Sequence, residues 1–315
     1  MKPILYSSVP LDRAHALRRD GDALSRLGRH PDRLVAPCWK DLSLTGGPSG
    51  PLVGGSDAAR LLALAEEVVL LGLRGDAPVY AADLSAVPPD PDGQPPRLGL
   101  EARWAALKAV GGTLPAAEAG ILAYARALIL WHRRTRFCGT CGAPTLACDG
   151  GHMRACQDPQ CGAQHYPRTD PAVIMRVDGF DDSGAEAILM HRQSAWPAGM
   201  WSVLAGFVEP GETPEEAVIR EVREESGIEV ADIRYGGAQP WPFPSSLMIG
   251  FSATAIGGAL CPDSGEIEDA RWFSRARIAA EFDDGHRTGG GGPFLPRPET
   301  IARRLIDSWL DGKRD

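Results

Sequence analysis

The stretch that most constrains this chain of 315 residues is 206–228, which reads GFVEPGETPEEAVIREVREESGI. It begins with a glycine-punctuated loop and continues as a helix with well-marked ends. Thr213 is the predicted N-cap, Pro214 is the first helical residue, and Glu216 completes a capping box. Gly227 is predicted to end the helix, because glycine adopts the left-handed conformation without strain.

Three glutamates, Glu221, Glu224 and Glu225, fall on one face of this predicted helix. Carboxylates at this spacing repel one another and weaken an isolated helix by about 0.2–0.5 kcal/mol per pair. A hard divalent cation such as Mg²⁺ or Mn²⁺ removes the penalty, because it takes oxygen ligands and commonly bridges carboxylates and phosphates. The alternative is a solvated acidic face, and the glutamates alone leave both interpretations open.

The fixed positions of the stretch match the signature of the Nudix hydrolases: Gly206, Glu212 and the run from Arg220 to Ile228. The chain therefore resembles this family. The resemblance implies an α/β (α+β) fold, with a Nudix α/β/α sandwich around a mixed sheet. A zinc ribbon and an N-terminal α+β domain are expected to precede the sandwich.

The composition disfavours two classes of protein. The chain has 33 Lys and Arg against 41 Asp and Glu, a formal net charge of −8, which argues against general nucleic-acid coating and against binding to anionic membranes. No stretch reaches the roughly 18 uninterrupted apolar residues of a membrane span. The N-terminus also lacks the layout of a signal peptide. We therefore expect a cytoplasmic protein with no membrane partner.

Four of the seven cysteines form two pairs. Cys138 and Cys141 belong to a Cys-x₂-Cys-Gly knuckle, and Cys156 and Cys161 form a wider Cys-x₄-Cys pair 14 residues later. Two such pairs supply the tetrahedral set of four sulfurs that Zn²⁺ prefers, so we predict a structural zinc ribbon. Free structural cysteines and a redox pair are the alternatives. A closed four-thiolate site gives no role to three nearby side chains, Cys148, His152 and His165.

A second unusual stretch is 238–248, which reads AQPWPFPSSLM. Prolines alternating with aromatics cannot pair as an interior strand, and they present flat surfaces suited to a planar ring. A proline-rich loop packed on the core is the alternative. The stretch resembles the QPWPFPxS motif of the NADH pyrophosphatase branch of the family, with Ala238 where serine is common. The substrate contacts expected in it are Gln239, Pro240, Trp241, Pro242, Phe243, Pro244, Ser245 and Ser246.

This narrower resemblance implies hydrolysis of the pyrophosphate bond of NAD(H) to NMN(H) and AMP, with Mg²⁺ or Mn²⁺, in a zinc-containing homodimer. Some members of the branch also remove NAD caps from RNA 5′ ends, which breaks the same bond. NAD(H) and NAD-capped RNA are therefore the expected substrates. Two alternatives remain: a Nudix hydrolase of another nucleoside diphosphate derivative such as ADP-ribose, and a non-enzymatic zinc-ribbon module that binds nucleotide. The proline-aromatic motif disfavours the first alternative, and the complete set of signature glutamates disfavours the second.

The resemblance also implies roles for single residues. The expected ligands of the catalytic metal are Glu221, Glu224, Glu225, the carbonyl of Ala205 and Glu266, with Glu268 as the alternative to Glu266. Arg220 is expected to pair with a signature glutamate, Glu212 to be structural, and Glu225 to lie closest to the attacking water. The expected substrate contacts outside the second motif are Phe207, Tyr166 and the backbone of Ala302.

The predicted organisation has three parts. Residues 1–132 form an N-terminal α+β domain for packing or dimerisation, 133–167 form the zinc ribbon, and 168–315 form the Nudix domain. No motif in the first part indicates chemistry.

Overall fold

The computed structural model describes residues 4–46, 50–263, 265–282 and 292–312. The chain divides into two compact units. Unit 1 contains Met1–Thr169 and Trp241–Ser245, and unit 2 contains Asp170–Pro240 and Ser246–Asp315. The short segment Trp241–Ser245 therefore belongs with the N-terminal half of the chain, although both of its flanks belong to unit 2.

Unit 1 contains a mixed sheet of five strands with a long helix packed on it. The strands are β1 (Leu34–Trp39), β2 (Leu42–Thr45), β3 (Glu67–Arg74), β4 (Ala77–Asp83) and β5 (Arg103–Ala106), in the order β3-β4-β1-β2-β5. The helices are α1 (Gly21–Gly28), α2 (Gly55–Leu64), α3 (Leu107–Val110) and α4 (Ala116–Arg134). Helix α4 buries Ile121, Leu122 and Leu128 against Val69 and Val79 of the sheet, because its apolar residues recur at helical spacing.

The zinc ribbon region is a small antiparallel sheet within unit 1. Its strands are β6 (Thr145–Cys148), β7 (Met153–Cys156) and β8 (Gln164–His165). The buried guanidinium of Arg154 ties this sheet to the larger one. Arg154 Nη1 donates to Glu67 Oε2 at 2.6 Å, and Arg154 Nε donates to Thr145 Oγ1 at 2.8 Å. These partners offset the cost of burying a charge.

Unit 2 contains the second mixed sheet. Its strands are β9 (Asp170–Phe180), β10 (Glu186–Arg192), β11 (Leu204–Phe207), β12 (Glu229–Trp241), β13 (Ser246–Gly257) and β14 (Asp269–Ser274). Their order is β12-β13-β9-β10-β14, and β11 pairs separately with β9. Strand β13 runs parallel to β9, whereas β10 and β11 run antiparallel to it. Strand β12, which carries Gln239 and Pro240, lies at the edge of this sheet, where proline is tolerated.

Helices cover both faces of the unit 2 sheet. They are α5 (Pro214–Ser226), α6 (Arg275–Glu281) and α7 (Ile301–Leu310). On one face, Val218 and Val222 of α5 share a core with Val173 of β9. On the other face, Arg176 of β9 donates from Nη1 to the Leu305 carbonyl of α7 at 3.2 Å. This arrangement confirms the α/β/α sandwich with a mixed sheet that the resemblance implies.

Glycine allows the close approach of α7 to the sheet. A Cβ at Gly250 would lie 2.7 Å from Ile301 Cδ1, which is too short for real atoms. A side chain at position 250 would therefore force Ile301 at the start of α7 to move. Among the described helices, none is long and apolar enough to cross a membrane.

Candidate active site and metal centres

Helix α5 has the ends that its sequence predicts. Thr213 Oγ1 accepts from the Glu216 N–H at 3.2 Å, and Glu216 Oε2 accepts from the Thr213 N–H at 2.7 Å. Gly227 ends the helix with φ of 74°. The capping box fixes where the helix begins, and therefore which residues share a face. These local contacts therefore keep the three signature glutamates on one face of the helix.

Arg220 connects the helix to the preceding loop. Its Nε and Nη2 donate to the two carboxylate oxygens of Glu212 at 2.6 and 3.0 Å, and Nη2 also donates to the Phe207 carbonyl at 2.9 Å. Its Nη1 lies 2.9 Å from Glu221 Oε1 and 3.0 Å from Glu224 Oε2. Arg220 and the backbone N–H of Glu209 lower the pKa of Glu212 to about 2. Glu212 is thus an anchor for Arg220, consistent with its expected structural role.

The carboxylate of Glu221 lies directly against the backbone of β11. A Cβ added at Gly206 would lie 1.9 Å from Glu221 Cδ, so any other residue at position 206 would displace the carboxylate. Partial burial raises the pKa of Glu221, an effect that Arg220 partly opposes and that Glu224 and Glu266 increase. The first glycine of the signature therefore makes room for a carboxylate.

Glu225 is the most buried carboxylate of the site. The residue is 5% exposed, and its Oε2 has no hydrogen-bond partner. Burial, together with the charges of Glu221, Glu266 and Asp263, raises the pKa of Glu225 to about 8. The backbone N–H of Ala205 opposes this shift by hydrogen bonding. The fold thus holds Glu225 near Ala205 and three other carboxylates, and among the described residues no ion pair with a cation is formed by Glu225.

The structure distinguishes Glu266 from its neighbour Glu268. Glu268 forms an ion pair with Arg192, and its N–H donates to the Arg192 carbonyl at 2.9 Å. Glu266 is exposed, and its charge acts on both Glu221 and Glu225. Glu266 is therefore the better candidate ligand from outside the signature.

Asp263 is a site residue that was not predicted from the sequence. Its N–H donates to the Glu225 carbonyl at 3.1 Å, and its Oδ1 accepts from the Gly265 N–H at 2.9 Å. Its carbonyl accepts from the Glu266 and Ile267 N–H groups at 3.2 and 2.8 Å. Asp263 therefore folds the loop that carries Glu266 and attaches it to the end of α5. An Asp two residues before a glycine is a turn signal that could have indicated it.

The donor set fits a hard divalent cation. It consists of the carboxylates of Glu221, Glu225 and Glu266, and carboxylate oxygens are ligands that Mg²⁺ and Mn²⁺ prefer. The unpartnered oxygen and raised pKa of Glu225 show that the protein itself does not stabilise the charged form of this carboxylate, a stabilisation that a cation would supply. Arg220, one of the two arginines of the signature run, holds Glu212 through two hydrogen bonds.

The other predicted substrate contacts have different environments. Phe207 is 59% exposed, its backbone pairs with Ala172 of β9, and its carbonyl accepts from Arg220. Gln239 is 1% exposed, and its amide accepts from the Ile301 N–H at 2.9 Å and donates to the Glu299 carbonyl at 3.1 Å. Gln239 thus anchors the start of α7, the helix that carries Ala302. Tyr166 is exposed and belongs to unit 1.

The aromatic residues of the second motif pack within unit 1. The Trp241 and Phe243 rings lie 5.1 Å apart, and their centroids are 5.9 and 5.7 Å from the Tyr6 ring. Arg126 Nε donates to the Pro242 carbonyl at 3.0 Å. Both rings remain half-buried rather than fully enclosed. Ser246, the last residue of the motif, begins β13 in unit 2.

The four paired cysteines converge in the ribbon. Their sulfurs lie within 4.8 Å of one another, and no other group of three or more potential ligands in the described ranges is as compact. Cys141 Sγ lies 3.4 Å from Cys156 Sγ, and the N–H groups of Thr140 and Asp158 donate to Cys138 and Cys156 at 3.4 Å. Backbone N–H groups lower the pKa of Cys138 to about 5. This compact set of sulfurs suits a tetrahedral Zn²⁺.

His165 contacts this cluster, which corrects the expectation that it has no role there. Its Nε2 lies 3.2 Å from Cys138 Sγ. The sequence could not indicate this contact, because it depends on β8 folding back beside β7. His152 contacts Tyr124 Oη at 2.7 Å instead and lies outside the sulfur set.

Sequence models of three protein families match this chain. They are the NUDIX domain over residues 169–289, the NADH pyrophosphatase-like rudimentary NUDIX domain over residues 14–131, and the NADH pyrophosphatase zinc ribbon domain over residues 133–166. The three matches follow one another along the chain. They cover helix α5, the paired cysteines and the whole five-stranded sheet of unit 1.

Several characterised relatives are similar to the chain. The NAD-capped RNA hydrolase NUDT12 of Homo sapiens is 44% identical over 199 residues, which cover 61% of this chain and 42% of the relative. The NAD-capped RNA hydrolase NudC of Pseudomonas aeruginosa (strain LESB58) is 44% identical over 190 residues, covering 60% and 61%. The chain thus spans less than two thirds of these two relatives.

A third relative matches along almost its whole length. The NAD-capped RNA hydrolase NudC of Mycobacterium bovis is 36% identical over 323 residues, covering 97% of this chain and 94% of the relative. Together with the three family matches, this similarity shows that the chain belongs to the NADH pyrophosphatase group of the Nudix hydrolases.

Proposed function

We propose that this protein hydrolyses the pyrophosphate bond of NAD(H), with Mg²⁺ or Mn²⁺, to NMN(H) and AMP. The observation that carries the proposal is the buried, uncompensated carboxylate of Glu225 beside Glu221, Glu266 and the Ala205 backbone. Such a cluster costs folding free energy unless a divalent cation and an anionic substrate use it. A solvated acidic face would have left Glu221 and Glu225 exposed, whereas the Glu221 side chain is 14% exposed and Glu225 is 5% exposed.

The residues of the candidate site have different roles in the proposed reaction. Glu221, Glu225, Glu266 and the Ala205 carbonyl would hold the cation, which would neutralise charge on the diphosphate and activate water. The water oxygen forms a bond to one phosphorus as the bridging P–O bond breaks, so each product keeps one phosphate. Glu225 would take the proton of the water, because it is the most buried carboxylate of the set and its Oε2 has no hydrogen-bond partner. Arg220 holds Glu221 and Glu224 in place.

The same bond occurs in NAD-capped RNA, and we include removal of NAD from RNA 5′ ends in the proposal. Support comes from the relatives, each of which is named an NAD-capped RNA hydrolase. We further propose a structural Zn²⁺ on Cys138, Cys141, Cys156 and Cys161, a homodimer, and a cytoplasmic location. Within the dimer, Phe207 and the second motif would contact the substrate rings.

A panel of substrates tests the proposal. Purified protein is assayed on NADH, NAD⁺, NAD-capped RNA and ADP-ribose, with Mg²⁺ and with Mn²⁺. We expect NMN(H) and AMP from the free dinucleotides, and slower turnover of ADP-ribose. Faster hydrolysis of ADP-ribose than of every NAD-containing substrate would instead favour the other Nudix specificity.

A further inference from the structure

Unit 1 contains an open, cationic groove whose charged residues have no part in the proposed hydrolysis. The groove has a volume of about 710 Å³ and lies between α3, α4 and the motif segment Trp241–Ser245. It is lined by Asp41, Ala106, Leu107, Lys108, Arg126, Leu130, Arg133, Arg134, Phe243 and Pro244. Four of these residues are cationic and one is acidic, in a chain whose formal net charge is −8. The positive charge is therefore concentrated locally.

The cations of the groove have different roles. Arg126 is held in place, because its guanidinium donates to Pro242, to the Asp41 carbonyl at 3.0 Å and to Asp41 Oδ1 at 3.1 Å. Its Cζ lies 5.2 Å from the centroid of the Phe243 ring, so it also orients the aromatic wall of the groove. Asp41, the single carboxylate of the lining, is neutralised by this pair.

Arg133 and Arg134 remain available for an anion. Arg133 donates to the Lys40 carbonyl at 2.8 Å, and Arg134 is exposed. Neither forms an ion pair with a carboxylate in the described part of the chain. Both lie in the last turn of α4, where the helix dipole stabilises a cation without neutralising it. Their guanidinium groups can therefore form bidentate hydrogen bonds with phosphate oxygens.

We propose that this groove binds the single-stranded RNA chain that follows the NAD cap, an inference that rests on the proposed function. Cations that track a phosphodiester backbone, combined with an aromatic side chain for a base, are the usual elements of single-strand binding. The motif segment supplies Phe243 and Pro244 to the groove, and its flanking residues Gln239 and Ser246 belong to the catalytic unit. One motif thus contributes to both units.

The test uses a labelled single-stranded RNA of about ten nucleotides with a 5′-monophosphate, which cannot be hydrolysed as a cap. Binding to the full-length protein is measured by fluorescence anisotropy across a range of KCl concentrations. The test variant is Arg133→Gln with Arg134→Gln. The matched control is Arg74→Gln, which changes an exposed arginine of unit 1 that lies outside the groove.

We expect the double variant to bind RNA roughly twenty-fold more weakly at about 0.1 M salt, since each lost contact to single-stranded phosphate reduces the salt slope by roughly 0.7. The slope of log affinity against log salt should therefore fall by about 1.4. The control should bind like the wild type. NADH turnover should be unchanged in both, so failure of the hydrolysis proposal would be seen separately, as absence of NADH turnover in the wild type.

Four results would overturn the inference. Equal RNA affinity in wild type and double variant would show that the groove does not bind the chain. An equal loss in the Arg74→Gln control would indicate a non-specific charge effect. If AMP, added as a competitor, binds as tightly as the longer RNA, the groove is a mononucleotide site. A changed oligomeric state of the double variant without RNA, measured by light scattering, would identify the groove as a protein interface.

Discussion

The buried carboxylate of Glu225 makes the stability of the metal-free protein depend on pH. Its pKa in the folded protein is about 8, above the ordinary value of 4.5, so the folded state favours the protonated form. The stabilisation from this proton is complete below about pH 4.5 and is lost as the pH rises toward about 8. The loss should be on the order of a few kcal/mol, because each pKa unit corresponds to about 1.4 kcal/mol.

The measurement is urea unfolding of metal-free wild type and Glu225→Gln from about pH 5 to about pH 8.5. The free energy of unfolding of the wild type should fall over this range, and that of the variant should fall less. Added Mn²⁺ should raise the free energy of unfolding of the wild type more than that of the variant. Burial lowers the pKa of His191 to about 4, so His191 contributes stability that is lost as the pH falls. This contribution is the same in both proteins and cancels when their stabilities are compared. Identical dependence of stability on pH in the two proteins would show that folding does not raise the pKa of Glu225.

Phe207 offers an exposed ring beside the metal-site helix, and we expect it to bind substrate rather than stabilise the fold. Its side chain is 59% exposed, so Phe207→Ala removes little packing. Ring stacking contributes about 0.5–1.5 kcal/mol beyond area burial, which predicts a several-fold rise in KM for NADH with a smaller change in kcat. Steady-state kinetics on NADH and on a diphosphate substrate lacking the stacked ring measure this. Equal losses on both substrates, with an unchanged circular dichroism spectrum, would indicate a structural role.

At the scale of elements, the loop that carries Glu266 depends on Asp263. Asp263→Ala removes the oxygen that accepts from the Gly265 N–H, so the loop should hold Glu266 less precisely. We expect about ten-fold weaker Mn²⁺ binding, measured by electron paramagnetic resonance, with a similar rise in the Mn²⁺ concentration needed for half-maximal activity. Asp263→Asn keeps the acceptor oxygen and should lose less. Equal affinity in wild type and Asp263→Ala would exclude a positioning role.

The ribbon should depend on zinc for its stability. We expect close to one Zn per chain, measured by metal analysis of freshly purified protein, since four sulfurs converge there. Cys138→Ser should lower the thermal midpoint by several degrees, because structural zinc contributes directly to folding, while the kcat of the remaining folded protein stays unchanged. The matched control is Cys148→Ser, which lies outside the sulfur set. Protein without zinc, purified under reducing conditions, would contradict the assignment.

Elements that depend on local signals could be predicted from the sequence. Helix α5 begins and ends where Thr213 and Gly227 indicate. The cysteine spacing likewise predicted which four cysteines converge in the ribbon. In each case neighbours in sequence determine the structure, through caps, turns or periodicity.

Contacts between distant residues could not be predicted in this way. The packing of Trp241 and Phe243 on Tyr6 joins residues more than half the chain apart, and nothing in the motif indicates the partner. The loop at Asp263 and the contact of His165 with Cys138 likewise depend on tertiary folding. Periodicity shows that a side chain is buried or placed on a face, but it does not show what lies opposite.

At the scale of the whole molecule, acidic and basic side chains are concentrated in different places. The acidic cluster on α5 and the Glu266 loop would repel an anionic substrate in the absence of a cation, whereas the groove of unit 1 is cationic. The net charge of −8 argued against nucleic-acid binding, but an average over the chain conceals a local patch of Lys108, Arg126, Arg133 and Arg134. Metal dependence and RNA affinity should therefore be separable by mutation.

The central claim is that the α5 carboxylates support cleavage of the NAD(H) pyrophosphate. The most direct test is the turnover of NADH by wild type and Glu225→Gln with saturating Mn²⁺, with products separated by chromatography. Glu215→Gln, an exposed change in the first turn of the same helix, is the control. We predict equal amounts of NMNH and AMP from wild type and control, and no measurable turnover by a folded Glu225→Gln. More than about a tenth of wild-type kcat in Glu225→Gln, a barrier change below about 1.4 kcal/mol, would contradict the account.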